Sequence, residues 1–254
     1  LLVVTRALDV LRYLSEADAT TVGVTQVAAE LKISKAAAHR ILTTLKEGGL
    51  VEVDEESRRY RLGPGVLALA SRYMGDLDVL ETARPLMRSL SLETAETVTI
   101  SIRTGWERVY VDQVTPVREV KMSVQIGKPF PLHAGSSGKV TLAYMPVDDV
   151  ETYLKRGLRK VTELTVTDVA ELRRQLDHIR GQGYAQSFGE RQVGAGSTAA
   201  PILDAGGHAV AVMSVCGPIE RFREEVDDCS RRLLAVTGQL SARMGYRGIT
   251  KPTS

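Results

Sequence analysis

Val24-Thr-Gln-Val-Ala-Ala-Glu-Leu-Lys-Ile-Ser-Lys-Ala-Ala-Ala-His-Arg-Ile-Leu-Thr-Thr-Leu-Lys-Glu-Gly-Gly-Leu-Val-Glu-Val53 is the stretch on which the fold turns. It reads as two short helices, a tight turn and the beginning of a β-hairpin. Thr25 is placed to cap the first helix, whose apolar positions Val27, Ala28 and Leu31 share one face. Ile33 fills the turn. Ser34 caps the second helix, with Ala38, Ile41, Leu42 and Leu45 as its buried stripe and Lys35, His39, Arg40, Thr43 and Lys46 facing outward. Gly48-Gly49 closes it, because glycine accepts the left-handed conformation of a helix end. Helix, turn and helix with a basic outer side is the arrangement that lays a reading helix in the DNA major groove.

The neighbouring segments extend this reading. Before it, residues 2–14 repeat apolar residues at helical spacing (Val3, Val4, Ala7, Leu8, Val10, Leu11, Leu14), on a face wide enough to meet a second subunit as well. After it, Leu50-Val-Glu-Val-Asp54 and Arg59-Tyr-Arg-Leu62 flank the polar tip Glu55-Glu-Ser-Arg58, which predicts a hairpin. A hairpin directly after a reading helix is the wing of a winged helix-turn-helix, with Arg58 and Arg59 available to a phosphate backbone. Gly63-Pro-Gly65 ends the hairpin, and a connecting helix follows over 66–74. The organisation expected is a winged helix-turn-helix over 1–63, a linker helix over 64–78 and a second domain over 79–254, with the boundary inside 75–78.

In the second domain the texture is mixed. A helix is expected over 79–94, interrupted at Pro85. Alternating runs predict strands over 97–102, 109–114 and 119–124, and the last would set Val120, Met122 and Val124 on one face as an apolar wall. Helices over 137–144, 148–155 and 168–180, strands over 197–203 and 208–215, and a long closing helix over 223–244 complete an α+β fold without βαβ rhythm.

Bulk properties narrow the function without naming it. Lys and Arg number 33 against 31 Asp and Glu, for a net charge of +2. Any DNA binding therefore rests on local placement of charge, not on an overall basic field. Cys216 and Cys229 form no spaced motif, which fits a reducing compartment, and no membrane span or signal peptide is visible, so the cytoplasm is expected. The chain starts at Leu1 and not at Met, an indication that native N-terminal residues precede it. His39, His133, His178 and His208 lie without metal-ligand spacing, and His133, the one near the proposed anion site, is read as structural or as supporting that site from behind. There is no Gly-x-Ser-x-Gly elbow and no paired carboxylate for acid–base work, so neither an enzyme nor a cofactor is expected. Ala134-Gly-Ser-Ser-Gly-Lys-Val140 resembles a phosphate loop but lacks its first glycine, where His133 stands, and the hydroxyl after the lysine. It still offers a glycine-flanked helix start whose amides favour an anion.

Taken in order, Ser34-Lys-Ala-Ala-Ala-His-Arg-Ile-Leu-Thr-Thr-Leu45, Tyr60-Arg-Leu-Gly63, Glu96-Thr-Val98, Pro131-Leu-His-Ala-Gly-Ser-Ser-Gly-Lys139, Gly183-Tyr-Ala185, Ala199-Ala-Pro-Ile202 and Ser214-Val-Cys-Gly-Pro218 resemble the IclR-type bacterial transcription regulators along nearly the whole chain. That resemblance implies a winged helix-turn-helix, a linker helix and a GAF-like effector-binding domain. It also implies homodimers, often paired into tetramers, that bind operator DNA and respond to small organic acids or aromatic catabolites. Arg40 matches a family arginine on the DNA side. Ser136, Ser137, Ser187, Ser197, Ser214 and Cys216 match effector-contacting positions. The chain departs from the family at Ala36 and Ala37, where members usually carry hydroxyls able to donate to phosphates. A competing class is a GAF-like binding module that acts through protein partners with a degenerate winged helix. Salt-dependent DNA binding separates the two.

Overall fold

The computed structural model describes residues 2–17, 19–75 and 78–247, without the side chains of 71–75 and 78. It forms two compact units, Leu1–Leu77 and Asp78–Ser254. The expected boundary at 75–78 falls largely on residues 76 and 77, outside the described residues.

The first unit runs α1 (Leu2–Glu16), α2 (Val24–Glu30), α3 (Lys35–Glu47), β1 (Val51–Val53), β2 (Tyr60–Leu62) and α4 (Gly65–Gly75). Its core gathers Val10 of α1, Val27 and Ala28 of α2, Ala38, Leu42 and Leu45 of α3, and Val51 and Tyr60 of the hairpin. Ile41 is only half-buried, at a groove shared with α1. Ser34 caps α3 by accepting from the Ala37 amide at 3.1 Å. The cap of α2 is not Thr25, which lies inside the helix. Gly23 holds that position, and Gln26 Oε1 reaches back to accept from its amide at 2.9 Å. Gly49 takes φ +71° after α3 and is the residue that needs glycine there. Val22 exchanges backbone hydrogen bonds with Tyr60 at 2.7 and 2.8 Å, which ties the wing to the entry of α2. Along α1 only Val10 is buried, while Leu2, Val3, Val4 and Leu8 stay 52–73% exposed.

The second unit contains α5 (Asp78–Thr94), β3 (Thr97–Thr104), β4 (Glu107–Val114), β5 (Pro129–Pro131), α6 (Ser136–Ala143), α7 (Val147–Lys155), α8 (Val169–Gln182), β6 (Ala185–Phe188), β7 (Ala195–Leu203), β8 (Ala209–Pro218) and α9 (Ile219–Arg243). Pro85 stands inside α5, as expected. The strands pair antiparallel in the order β5-β4-β3-β8-β7-β6, so the two ends of the domain's sequence meet at the central β3–β8 pair. Helix α6 covers one face with α8 packed on it, and α5 and α9 cover the other. Successive residues of β7 show the division: Ser197 Oγ meets Ser136 of α6 at 2.8 Å, and Thr198 Oγ1 meets Ser230 of α9 at 2.7 Å. At Gly196 a Cβ would lie 2.9 Å from Phe222, so the glycine lets α9 seat on the sheet.

One expected strand is absent. Residues 119–124 form an irregular segment, although Glu119-Val-Lys-Met-Ser-Val124 alternates. Side chains take its backbone bonds instead: Gln113 accepts from the Val124 amide and donates to its carbonyl (2.9 and 2.8 Å), and Thr97 Oγ1 donates to the Met122 carbonyl at 2.6 Å. The pairing edge of β4 is meanwhile used by β5, through Glu107, Arg108 and Val109. The short strand β6, beyond Gly183, is an element that hydropathy alone did not mark.

Candidate functional site

On the DNA side, Ser34, Lys35, His39 and Arg40 are exposed along α3, whereas Thr43 is half-buried. Arg40 forms no ion pair among the described residues and lines an apolar groove that also includes Leu2, Val3, Ile41 and Leu45. Arg58 lies at the wing tip with φ +55°, exposed, 3.7 Å from Glu55. The expectation for Arg59 is corrected. Its guanidinium donates to Thr21 Oγ1, the Thr21 carbonyl and Gln26 Oε1 at 2.8–3.1 Å, so it fastens the wing to the start of α2 and is not free for a phosphate.

In the second unit a small polar cavity lies between the start of α6 and the sheet. Register explains why its walls come from distant parts of the chain. Ser187 faces Ser197, and Ser197 faces Cys216, so these side chains form a row across β6, β7 and β8. Ser214, two residues before Cys216, lies on the same face and shares a 2.7 Å hydrogen bond with Thr99 Oγ1 of β3. Ser136 and Ser137 close the row from above. Small hydroxyl and thiol side chains stand where a core would carry branched aliphatics, and that leaves the space. The enclosed volume is about 20 Å³, roughly that of one water molecule.

Val120 and Met122 do not belong to this wall. Val120 is 67% exposed, and the segment that carries both is not a strand, so it presents no continuous apolar face.

The charges around the cavity were not legible from motif spacing. Gly135 adopts φ +83°, and its amide donates to Glu190 at 3.3 Å, so the protein's own carboxylate already sits near the α6 start. Glu190 also binds buried Lys139 at 2.5 Å, and Lys139 reaches Gln175 at 3.0 Å. That pair neutralises itself, and the lysine is spent on structure. Arg108 of β4 differs. It is 1% exposed, it lines the cavity, and its Nε and Nη1 have no hydrogen-bond partner. The ring of Tyr110 lies 4.5 Å from its guanidinium carbon. Burial pushes the Cys216 thiol up to about 12, so it is a neutral wall of the cavity and not a nucleophile.

His133, next to this site in sequence, is structural. Its Nδ1 meets the Tyr153 hydroxyl at 2.7 Å and its Nε2 the Arg159 carbonyl at 2.8 Å. The same hydroxyl accepts the amides of Leu132 and His133, which sets the entry to α6. No cluster of metal-ligating side chains occurs among the described residues.

Comparison with known proteins places this geometry. Residues 3–55 match the IclR helix-turn-helix domain, and residues 71–242 match the bacterial transcriptional regulator IclR C-terminal family. The chain is 33% identical over 244 residues to the transcriptional regulator BhcR of Paracoccus denitrificans, covering 95% of this chain and 87% of the relative. It is 31% identical over 218 residues to the transcriptional repressor AllR of Klebsiella pneumoniae (85% and 80% covered). Among solved structures, an IclR transcriptional regulator from Alicyclobacillus acidocaldarius superposes with a TM-score of 0.83 at 28% identity, covering 96% and 99% of the two chains. An IclR homolog from Microbacterium hydrocarbonoxydans, solved with 4-hydroxybenzoate, shares the fold with a TM-score of 0.84 at 23% identity (95% and 98% covered). The curated relatives are regulators and repressors, not enzymes. This chain belongs to the IclR family of bacterial transcription regulators, with an N-terminal DNA-binding helix-turn-helix and a C-terminal ligand-binding domain.

Proposed function

We propose that this regulator works as a homodimer in the cytoplasm, reads operator DNA with α3, and is switched by a small carboxylate held between the start of α6 and the Ser187–Ser197–Cys216 row. The observation that carries the effector reading is Arg108. A guanidinium withdrawn from water costs several kcal/mol unless an anion or hydrogen-bond acceptors replace the lost solvent. Here Nε and Nη1 have neither. A carboxylate entering the cavity supplies acceptors for them, and the start of α6, whose first amides lack intrahelical acceptors, lines the same space.

The 4-hydroxybenzoate bound by the Microbacterium homolog is itself a carboxylate. Homodimerisation is supported by the apolar face of α1, where Leu2, Val3, Val4 and Leu8 lie uncovered. A paired dimer reads half-sites about 34 Å apart or a multiple of that, and α4 is the element through which ligand alters the spacing. The acid lowers or raises operator affinity only through unequal binding to the two arrangements.

The test is a thermal-shift screen of small aliphatic and aromatic acids on the wild-type protein and on Arg108→Gln. An acid that binds the folded state raises the melting temperature. At saturating acid the wild type gains several degrees and Arg108→Gln, folded by circular dichroism, gains none. Equal shifts in both proteins, or no shift with any acid in the wild type, overturn the reading.

A further inference from the structure

The charge balance around the cavity points to the charge of the ligand itself. Tyr110 and Phe130 pack edge to face with centroids 5.6 Å apart, and two guanidiniums lie over the pair. Arg108 is 4.5 and 5.5 Å from the two rings, and Arg191 is 5.7 and 5.1 Å from them. Neither arginine has an ion pair among the described residues. The neighbouring carboxylates are used elsewhere: Glu190 by Lys139, and Glu96 by Arg221 at 2.5 Å and Arg118 at 3.6 Å. Two positive charges are thus left over at one aromatic pair, and ring faces satisfy a cation only in part.

Space leads to the same place. Arg191 and Gln192 border the inner cavity of about 20 Å³ and also an adjoining groove of about 500 Å³, which Lys128 and Phe130 line as well. They form the partition between a space that fits roughly one water and a space that fits a metabolite. Any acid larger than a water that enters from the groove displaces that partition. An acid with a single charge satisfies Arg108 and leaves the displaced Arg191 without an anionic partner.

We infer that the ligand of this site is a small organic acid with two anionic groups, one seated on Arg108 beneath α6 and the other drawn to Arg191 and Lys128 at the groove. The inference rests on the effector reading above and makes it more specific. Dicarboxylates and phosphorylated acids share this chemistry.

The experiment compares acids with partners that lack the second anionic group by calorimetric titration: succinate with butyrate, glutarate with valerate, terephthalate with 4-methylbenzoate, and 2-phosphoglycolate with glycolate. In the wild-type protein at least one dianion binds about tenfold or more tighter than its singly charged partner, as one added charge-assisted pair provides. In the double variant Arg191→Gln, Lys128→Gln that advantage shrinks to about twofold or less while the singly charged partner keeps its affinity, and in Arg108→Gln both are lost. Which dianion binds more tightly separates the carboxylate from the phosphate source. Equal affinities within every pair, or an advantage that survives the loss of both Arg191 and Lys128, overturn the second anion site and leave the carboxylate site standing. Failure of every acid to bind overturns both.

Discussion

Arg108 and His133 show how burial sorts polar side chains by what they are given to bind. His133 has both ring nitrogens occupied, and burial, the main cause, holds its imidazole below the ordinary value of 6.5. The neutral ring is therefore the folded form. Unfolded chains take up a proton below about pH 6.5 while the folded protein does not, so stability is complete above that pH and declines as pH falls through it. We expect the drop in melting temperature between pH 7.5 and 5.5 to be smaller in His133→Gln than in the wild type; an identical drop removes His133 from the acid response. The role of His133 could be anticipated from its isolation among the histidines, but the part played by Arg108 could not. Hydropathy alternation along Val109-Tyr-Val111 points the valines inward, whereas Arg108 and Tyr110 are the buried positions and Val109 is half-buried. A bulge in the β3–β4 register, with Ile100 facing Asp112 and Ser101 facing Tyr110, resets the alternation farther along the strand. A single sequence carries no signal for such an extra residue.

At the scale of elements, the winged helix was legible because each of its signals is local: a cap, a stripe, a glycine stop and a hairpin. The irregular 119–124 segment was not, because its pattern is that of a strand and only its distant partners, Gln113 and Thr97, show that side chains take its backbone hydrogen bonds. The same contrast holds for glycines. Gly63 reads as punctuation, yet its α-carbon lies where a Cβ would come 2.5 Å from the Gly49 carbonyl oxygen, a backbone atom that cannot swing aside. Its amide also donates to Leu50 at 2.9 Å, so the end of the wing is clamped onto the end of α3. Gly63→Ala forces these two turns apart, at an overpacking cost of about 1–3 kcal/mol. The expected outcome is a lower thermal midpoint for the DNA-binding unit and weaker operator binding, with acid binding in the second unit unchanged. A variant of wild-type stability would mean that the turn yields at no cost.

At the scale of the whole molecule, the family-wide order of motifs was readable from one end of the chain to the other, but the effector cavity was readable only as a set of residues, since it takes antiparallel register to set Ser187, Ser197 and Cys216 in one row. The nearly balanced charge has a consequence for DNA binding. With a net charge of +2, the protein as a whole exerts little pull on a duplex, so on the proposed reading affinity depends on exposed cations around the reading helix, among them Lys35, Arg40, Lys46 and Arg58. If every one of these four meets a phosphate in both subunits of a dimer, these contacts together contribute about −7 to the slope of log affinity against log salt. Arg40 forms no ion pair among the described residues, so nothing within the chain competes for it. In a dimer Arg40→Ala removes two cations, and if they lie on phosphates the slope becomes shallower by about 2 units. If Arg40 reads a base instead, the slope changes little and discrimination between operator and mutated operator falls by about 1–3 kcal/mol. Titrating operator and scrambled duplex at several salt concentrations therefore assigns the role of Arg40. Unchanged affinity, slope and discrimination in the variant would take α3 out of the groove and favour a protein that acts through partners.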